Sequence, residues 1–241
     1  MLEKLKNKNI LITGASSGIG KQMAKLYCQN GANVIAIGRS QSGLEELDDS
    51  LQKFDSKCIL VPMDLKNYDL IYDLSIELQN RFEVIDALVL NASILGNLTP
   101  VTHIDEYDWN TTFSVNLTSN IILLKAFEKL LNKSKQANVL FLTSDIIKKR
   151  KPFWGLYSSS KAALEQIAFS YAAEVKNTNV KVNIIDPGAV NTKLRQKAYP
   201  GEDKKKIRQP EELSDFLIDI IFNKNYKNSK IISFDKWNKN L

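Results

Sequence analysis

In the segment "GLYSSSKAAL" a tyrosine and a lysine, Tyr157 and Lys161, stand four positions apart with three serines between them. In a helix, positions i and i+4 lie on one face, so the phenol and the ammonium can open on the same pocket. A free tyrosine titrates at about 10, too high to exchange its proton readily at neutral pH. An ammonium about 5 Å away, at an effective dielectric of about 20, stabilises the phenolate by roughly 3 kcal/mol. That is about two pKa units, and it puts the phenol at about 8. The spacing alone fits both a tyrosine acid/base tuned by a lysine and a solvated helix surface, and the rest of the chain has to decide between them.

A second segment carries a different chemistry. "TGASSGIG" follows the apolar run "NILIT" directly and has glycines at 14, 18 and 20. Strand, glycine turn, helix is the context in which such glycines matter. Gly14 permits a tight turn, Gly18 lets backbone amides approach a pyrophosphate at the helix start, and Gly20 lets the helix lie close on the strand. The spacing G-x-x-x-G-x-G departs from the G-x-G-x-x-G of long-chain dinucleotide binders.

These residues need elements to hold them. Short β-branched runs at 9–13, 33–37, 58–61, 86–90, 138–143, 180–185 and 230–234 alternate with helical patterns at 18–30, 42–53, 67–80, 108–133, 157–176 and 210–223. On 108–133, Phe113, Leu117, Ile121, Leu124 and Phe127 fall on one stripe. Strands that are apolar throughout, each followed by a helix, predict a doubly wound α/β fold: about seven parallel strands, helices on both faces, three αβα layers. The whole chain, 1–241, reads as one such domain, with the irregular stretch 188–209 as a candidate mobile lid.

Composition narrows the function classes. At 241 residues, 44% hydrophobic and 25% charged, the chain has the make-up of a globular protein with a sizeable core. No apolar run approaches the roughly 20 residues that span a bilayer, and no signal-peptide core opens the chain, so a cytoplasmic location is expected. Cys28 and Cys58 fall in a predicted helix and strand and read as small apolar residues rather than a disulfide. With His103 the only histidine, no metal site is expected. The net charge of +6, with runs at Lys148–Lys151 and Lys204–Arg208, reads as solvated surface, and no nucleic-acid partner is expected.

Taken together, the glycine turn and the tyrosine–lysine pair make the chain resemble the short-chain dehydrogenase/reductase family over essentially its full length. Gly14, Gly18 and Gly20 match its cofactor turn, and Asp64 in "VPMDL" matches the acid that bonds the adenine. Asn91 and Ala92 match part of N-N-A-G, while Leu90 and Ser93 depart from it. Asn116 in "SVNL" matches the helix asparagine, Ser144 lies thirteen residues before Tyr157 as the catalytic serine does, and Pro187, Gly188 and Thr192 match P-G-x-x-x-T. Asp145 stands where a small or neutral residue is usual. The resemblance implies a catalytic set of Asn116, Ser144, Tyr157 and Lys161, in which Ser144 holds the substrate oxygen and Asn116 positions a relay water. It implies that Lys161 bonds the nicotinamide ribose, and that Thr192 and the backbone at Val190 hold its carboxamide. Ser16, Ser17, Ile19, Ser40, Leu65 and Ser93 complete the cofactor contacts.

At the end of the second strand, "VIAIGRS" places Gly38 where relatives that prefer NAD carry an acid, with Arg39 next. A guanidinium suits a 2′-phosphate, so NADP(H) is expected over NAD(H). The expected activity is hydride transfer between nicotinamide and a carbonyl or secondary alcohol of a small-molecule substrate. Leu95, Leu98, Trp154 and Tyr199 stand as possible apolar contacts. Two alternatives remain: a 3-oxoacyl-carrier-protein reductase, and a non-catalytic nucleotide- or RNA-binding protein on the same fold. The resemblance also implies a homodimer or homotetramer.

Overall fold

In the computed structural model, which describes residues 5–52, 54, 57–223 and 228–240, seven strands form one parallel sheet. They are β1 (Asn9–Thr13), β2 (Asn33–Gly38), β3 (Lys57–Pro62), β4 (Ala87–Leu90), β5 (Ala137–Leu142), β6 (Val180–Asp186) and β7 (Lys230–Ser233). Their order across the sheet is β3-β2-β1-β4-β5-β6-β7. The helices are α1 (Gly18–Gln29), α2 (Gln41–Asp49), α3 (Tyr68–Arg81), α4 (Glu106–Phe113), α5 (Ser119–Lys133), α6 (Ile146–Lys149), α7 (Gly155–Glu174), α8 (Lys193–Ala198), α9 (Ser214–Phe222) and α10 (Phe234–Trp237).

Alternation within each strand explains why the strands are apolar from end to end. Ile10 and Ile12 of β1 pack with Met23, Tyr27, Phe216 and Ile220 from α1 and α9 on one face. Leu11, between them, joins Leu74, Phe127 and Leu164 from α3, α5 and α7 on the other. Both faces are covered, so neither parity of position can be polar. The strand order reverses between β1 and β4, and the loops leaving those two strands diverge there to leave a crevice at the carboxyl ends.

The structure revises several boundaries. The helix expected over 108–133 is α4 and α5 joined by a π turn over Ser114–Thr118. The wider turn rotates the face that meets the core. As a result the expected stripe is not one buried face: Phe127 is buried but Ile121 is exposed, and Leu123, Leu130 and Leu131 fill the core instead. The stretch 188–209 is not irregular throughout, because it contains α8, capped by the Thr192 hydroxyl accepting from Arg195 N at 3.2 Å. Arg195 then clamps Glu202 through two bonds of 2.7 and 2.6 Å. The helix expected at 42–53 ends at Asp49, and Lys53 lies outside the described residues. The helix expected from 210 opens as a 3-10 turn over Pro210–Leu213 before α9. Cys28 is buried, Cys58 half-buried, and both are free. Among the described residues no helix is long and apolar enough to cross a membrane.

Candidate active site

The crevice is built outward from Thr13, the last residue of β1. Its hydroxyl donates to the Val89 carbonyl (3.2 Å) and accepts from the amides of Asn91 (3.0 Å) and Ala92 (3.1 Å), stitching the end of β1 to the exit of β4. The Asn91 side chain returns a bond to the Thr13 carbonyl at 2.8 Å. Against this brace the chain turns at Gly14, whose φ of +70° favours glycine. A Cβ there would sit 2.7 Å from Asn91 Nδ2 and 2.9 Å from Ala92 Cα. Gly20 is packed too closely for any side chain, since a Cβ would come within 2.4 Å of both Asn91 Nδ2 and the Gly14 carbonyl. Helix α1 thus starts directly over the turn. Ser17, its N-cap residue, makes no side-chain cap bond, and the first turn carries no acid. The leading N–H groups of α1 form a donor set that fits an anionic pyrophosphate.

A cleft of about 690 Å³ runs over this turn. At one end lie Ser16, Ser17, Arg39 and Ser40, and beside them Asp64 and Leu65. Gly14, Gly18, Ile19, Asn91, Ala92 and Ser93 line its middle, facing Pro187, Gly188, Val190 and Thr192. Ser144, Tyr157 and Lys161 line the far end. Of the catalytic and cofactor residues picked from the sequence, Gly20 and Asn116 stay off the cleft wall. Gly20 acts through packing. Asn116 is fully buried and spends its amide on structure: its Oδ1 accepts from Ile94 N (2.8 Å), and its Nδ2 donates to the Ile94 carbonyl (2.9 Å) and Ser160 Oγ (3.0 Å). It pins the loop after β4 to α7.

Tyr157 and Lys161 share one face of α7, as their spacing requires, but the electrostatics differ from the simple pair. Lys161 is fully buried and donates to the Leu142 carbonyl at 2.9 Å, with its Nζ 5.9 Å from the centre of the Tyr157 ring. Burial pushes the Tyr157 hydroxyl up to about 12, only partly offset by a hydrogen bond from Ser93, and the carboxylate of Asp186 adds to the rise. Burial likewise brings Lys161 down to about 8, against the opposing pull of Glu165. The expected value of about 8 for the phenol is therefore corrected. That expectation counted an ion attracting its neighbour and left out the cost of taking both groups out of water. In this environment the phenol is a held acid at neutral pH.

Three residues that the sequence reading passed over, Asp186, Glu165 and Thr13, help to shape the site, together with Ser93, which it assigned to the cofactor. Ser93 touches Tyr157 from the β4 loop. Asp186, at the end of β6, accepts from Gly188 N at 3.1 Å, and burial raises its carboxyl. Glu165 accepts from Thr143 Oγ1 at 2.6 Å, next in chain to the carbonyl that holds Lys161. Thr13 is the stitch described above. Each of the three lies within a few residues of a motif position or one helical turn beyond one, which is the only signal in the sequence that marks them. Asp145 lines the cleft but is ion-paired to Lys149, so its charge is met at the rim. The basic run Lys148–Lys151 is therefore not solvated surface alone: Lys151 also donates to Tyr199 Oη at 3.0 Å. Of the four apolar contacts considered, Leu95, Trp154 and Tyr199 line the cleft, and Leu98 packs behind them.

Comparison with known proteins agrees with this architecture. The family model described as short chain dehydrogenase matches residues 8–203. An uncharacterized oxidoreductase of Escherichia coli (strain K12), YciK, is 28% identical over 212 residues, covering 87% of this chain and 84% of the relative. Among solved structures, a short chain dehydrogenase from Pseudomonas syringae superposes with a TM-score of 0.91 at 30% identity, covering 97% and 96% of the two chains. One from Shigella flexneri, complexed with NADP, gives 0.89 at 26% identity, covering 97% and 99%. The chain belongs to the short chain dehydrogenase family. It is an NAD(P)-dependent oxidoreductase of that family, acting on small-molecule substrates.

Proposed function

We propose that the protein uses NADP(H) to interconvert a carbonyl and a secondary alcohol on a small, partly apolar substrate, with Tyr157 as the acid/base. The observation that carries this reading is that Tyr157, Lys161 and Ser144 open on the same cleft as the glycine turn. When bound there, the nicotinamide supplies the hydride in reduction and accepts it in oxidation. Tyr157, kept protonated by burial, donates its proton to the carbonyl oxygen as the carbon is reduced, and takes it back when an alcohol is oxidised. Ser144 holds the same oxygen through its hydroxyl, which bonds only weakly elsewhere: Ile146 N lies 3.4 Å away. The phenolate left after proton transfer faces the ammonium of Lys161, which the Leu142 carbonyl fixes in place. Leu95, Trp154 and Tyr199 supply apolar wall beyond the tyrosine.

Preference for NADP(H) is supported at the other end of the cleft. Arg39 stands there with Ser16, Ser17 and Ser40, a cation and three hydroxyls that suit a 2′-phosphate. An acid at position 38 has no room, because a Cβ on Gly38 would lie 2.8 Å from both Cβ and Oγ of Ser16. The Shigella flexneri neighbour complexed with NADP agrees with this choice. All of these residues hang on one sheet, which supports reading the chain as one working unit. The test is Tyr157→Phe, assayed by NADPH consumption across a carbonyl panel. Turnover is expected to fall by about 100-fold or more while NADPH binding persists, and near-normal turnover would overturn the reading.

A further inference from the structure

The far end of the cleft is an apolar box with a cationic rim. Leu95, Ile146, Trp154 and Tyr157 form a buried cluster, with Leu194 and Ala198 of α8 and Tyr199 at its end packed on it. Trp154 meets the Tyr157 ring edge-on at 6.0 Å and the Tyr199 ring at 5.6 Å. Tyr199 is itself fixed, by the Arg195 guanidinium 4.4 Å over its ring and by Lys151 on its hydroxyl. The wall is therefore held by contacts within the chain itself.

The acidic side chains of the rim are met within the chain; of the two α8 lysines that line the cleft without an ion pair among the described residues, Lys193 acts on Glu46 of α2 and Lys197 faces the box. Asp145 is paired with Lys149 and Glu202 with Arg195, and Asp108 accepts from Asn97 N at 2.7 Å. Lys151 is spent on Tyr199. Lys197, on α8, reaches across the cleft to the opposite loop and donates to the neutral carbonyl of Gly96 at 3.2 Å. Among the described residues it has no carboxylate within ion-pair distance, and it lines the same cleft as Trp154 and Tyr157. A carboxylate is a much better acceptor for an ammonium than a neutral carbonyl is.

We propose that the substrate is a carbonyl compound with a flat or extended apolar body and an anionic group at its far end. The apolar body lies in the Trp154–Leu95–Ile146 box, and Lys197 leaves the Gly96 carbonyl to bind the anion. The inference rests on the reductase reading above. Lys197 bridges α8 and the loop after β4.

The test uses NADPH and two pairs of ketone probes: para-acetylbenzoate and para-acetylphenylbutanoate, each beside its own methyl ester. At one chain length at least, the acid is expected to exceed its ester in kcat/KM by roughly tenfold or more. That ratio is expected to collapse towards one in Lys197→Met, to invert in Lys197→Glu and to survive in Lys197→Arg. Acid and ester turning over equally at both lengths would overturn the proposal, as would a ratio that persists in Lys197→Met. No NADPH oxidation with any probe would instead count against the reductase reading. Quenching of Trp154 fluorescence by para-(1-hydroxyethyl)benzoate, with Trp154→Phe as control, then decides the site alone. Quenching that weakens in Lys197→Met upholds the anion site, and quenching matched by the methyl ester refutes it.

Discussion

At the scale of single residues, the site sets two buried groups against each other. Tyr157 is lifted to about 12 and Lys161 lowered to about 8, both first of all by loss of water. The ammonium form of Lys161 is thus the one most easily lost as the solution becomes alkaline. Glu165 acts against that loss, because its carboxylate favours the charged lysine, and its bond from Thr143 fixes it beside the strand that holds Lys161. Removing the carboxylate lowers the lysine further, so its proton is shed at a lower pH. The kcat/KM for NADPH, which reports groups on the free enzyme, is expected to decline as pH rises through about 8. In Glu165→Gln the decline is expected to begin at a lower pH, and Glu165→Asp to restore part of the difference. A merely structural role would lower the whole profile and leave its shape alone, so an unshifted limb removes Glu165 from the electrostatics of the site.

At the scale of elements, legibility followed the kind of physics involved. The strands and long helices were readable because burial on two faces forces an apolar code that local sequence carries. The glycine turn was readable because close approach tolerates no side chain at Gly14 or Gly20. What escaped was set by contacts across the chain. The π turn at Ser114–Thr118 places Asn116 where its amide can grip Ile94, and no local periodicity announces that. Helix α8 exists through the Thr192 cap and the Arg195–Glu202 clamp, in a stretch whose composition reads as loop. The tyrosine's acidity escaped because spacing reveals the neighbour and not the burial. The stitch at Thr13 belongs to the same class, and it yields a prediction. Thr13→Val keeps the shape of a fully buried side chain but strips the acceptor from two amides and the donor from Val89. A loss of about 1–3 kcal/mol is expected for such a group. It should be read as a lowered urea midpoint at unchanged slope, together with weaker NADPH binding. An unchanged midpoint would mean that the strand ladder alone holds β1 and β4 in place.

At the scale of the whole molecule, the cleft gathers loops from both halves of the sheet, so a dinucleotide bound across it ties those halves together. The Arg39 end belongs to the β2 side and the Pro187–Thr192 wall to the β6 side. A ligand that binds the folded chain and not the unfolded one stabilises it in proportion to the logarithm of its concentration over its dissociation constant. At about 100 times that constant the gain is about 2.7 kcal/mol. For a chain of this size, that corresponds to a rise in Tm of about 5–10 °C. NADPH is expected to give a shift of that order. NADH, lacking the phosphate that Arg39 suits, should lag by several degrees at equal concentration. In Arg39→Ala the two shifts are expected to converge through a fall in the NADPH value, since only the phosphate's partner has been removed. A wild-type chain stabilised equally by both cofactors would show that Arg39 reads nothing, and the preference would then have to be sought in the hydroxyls of Ser16, Ser17 and Ser40.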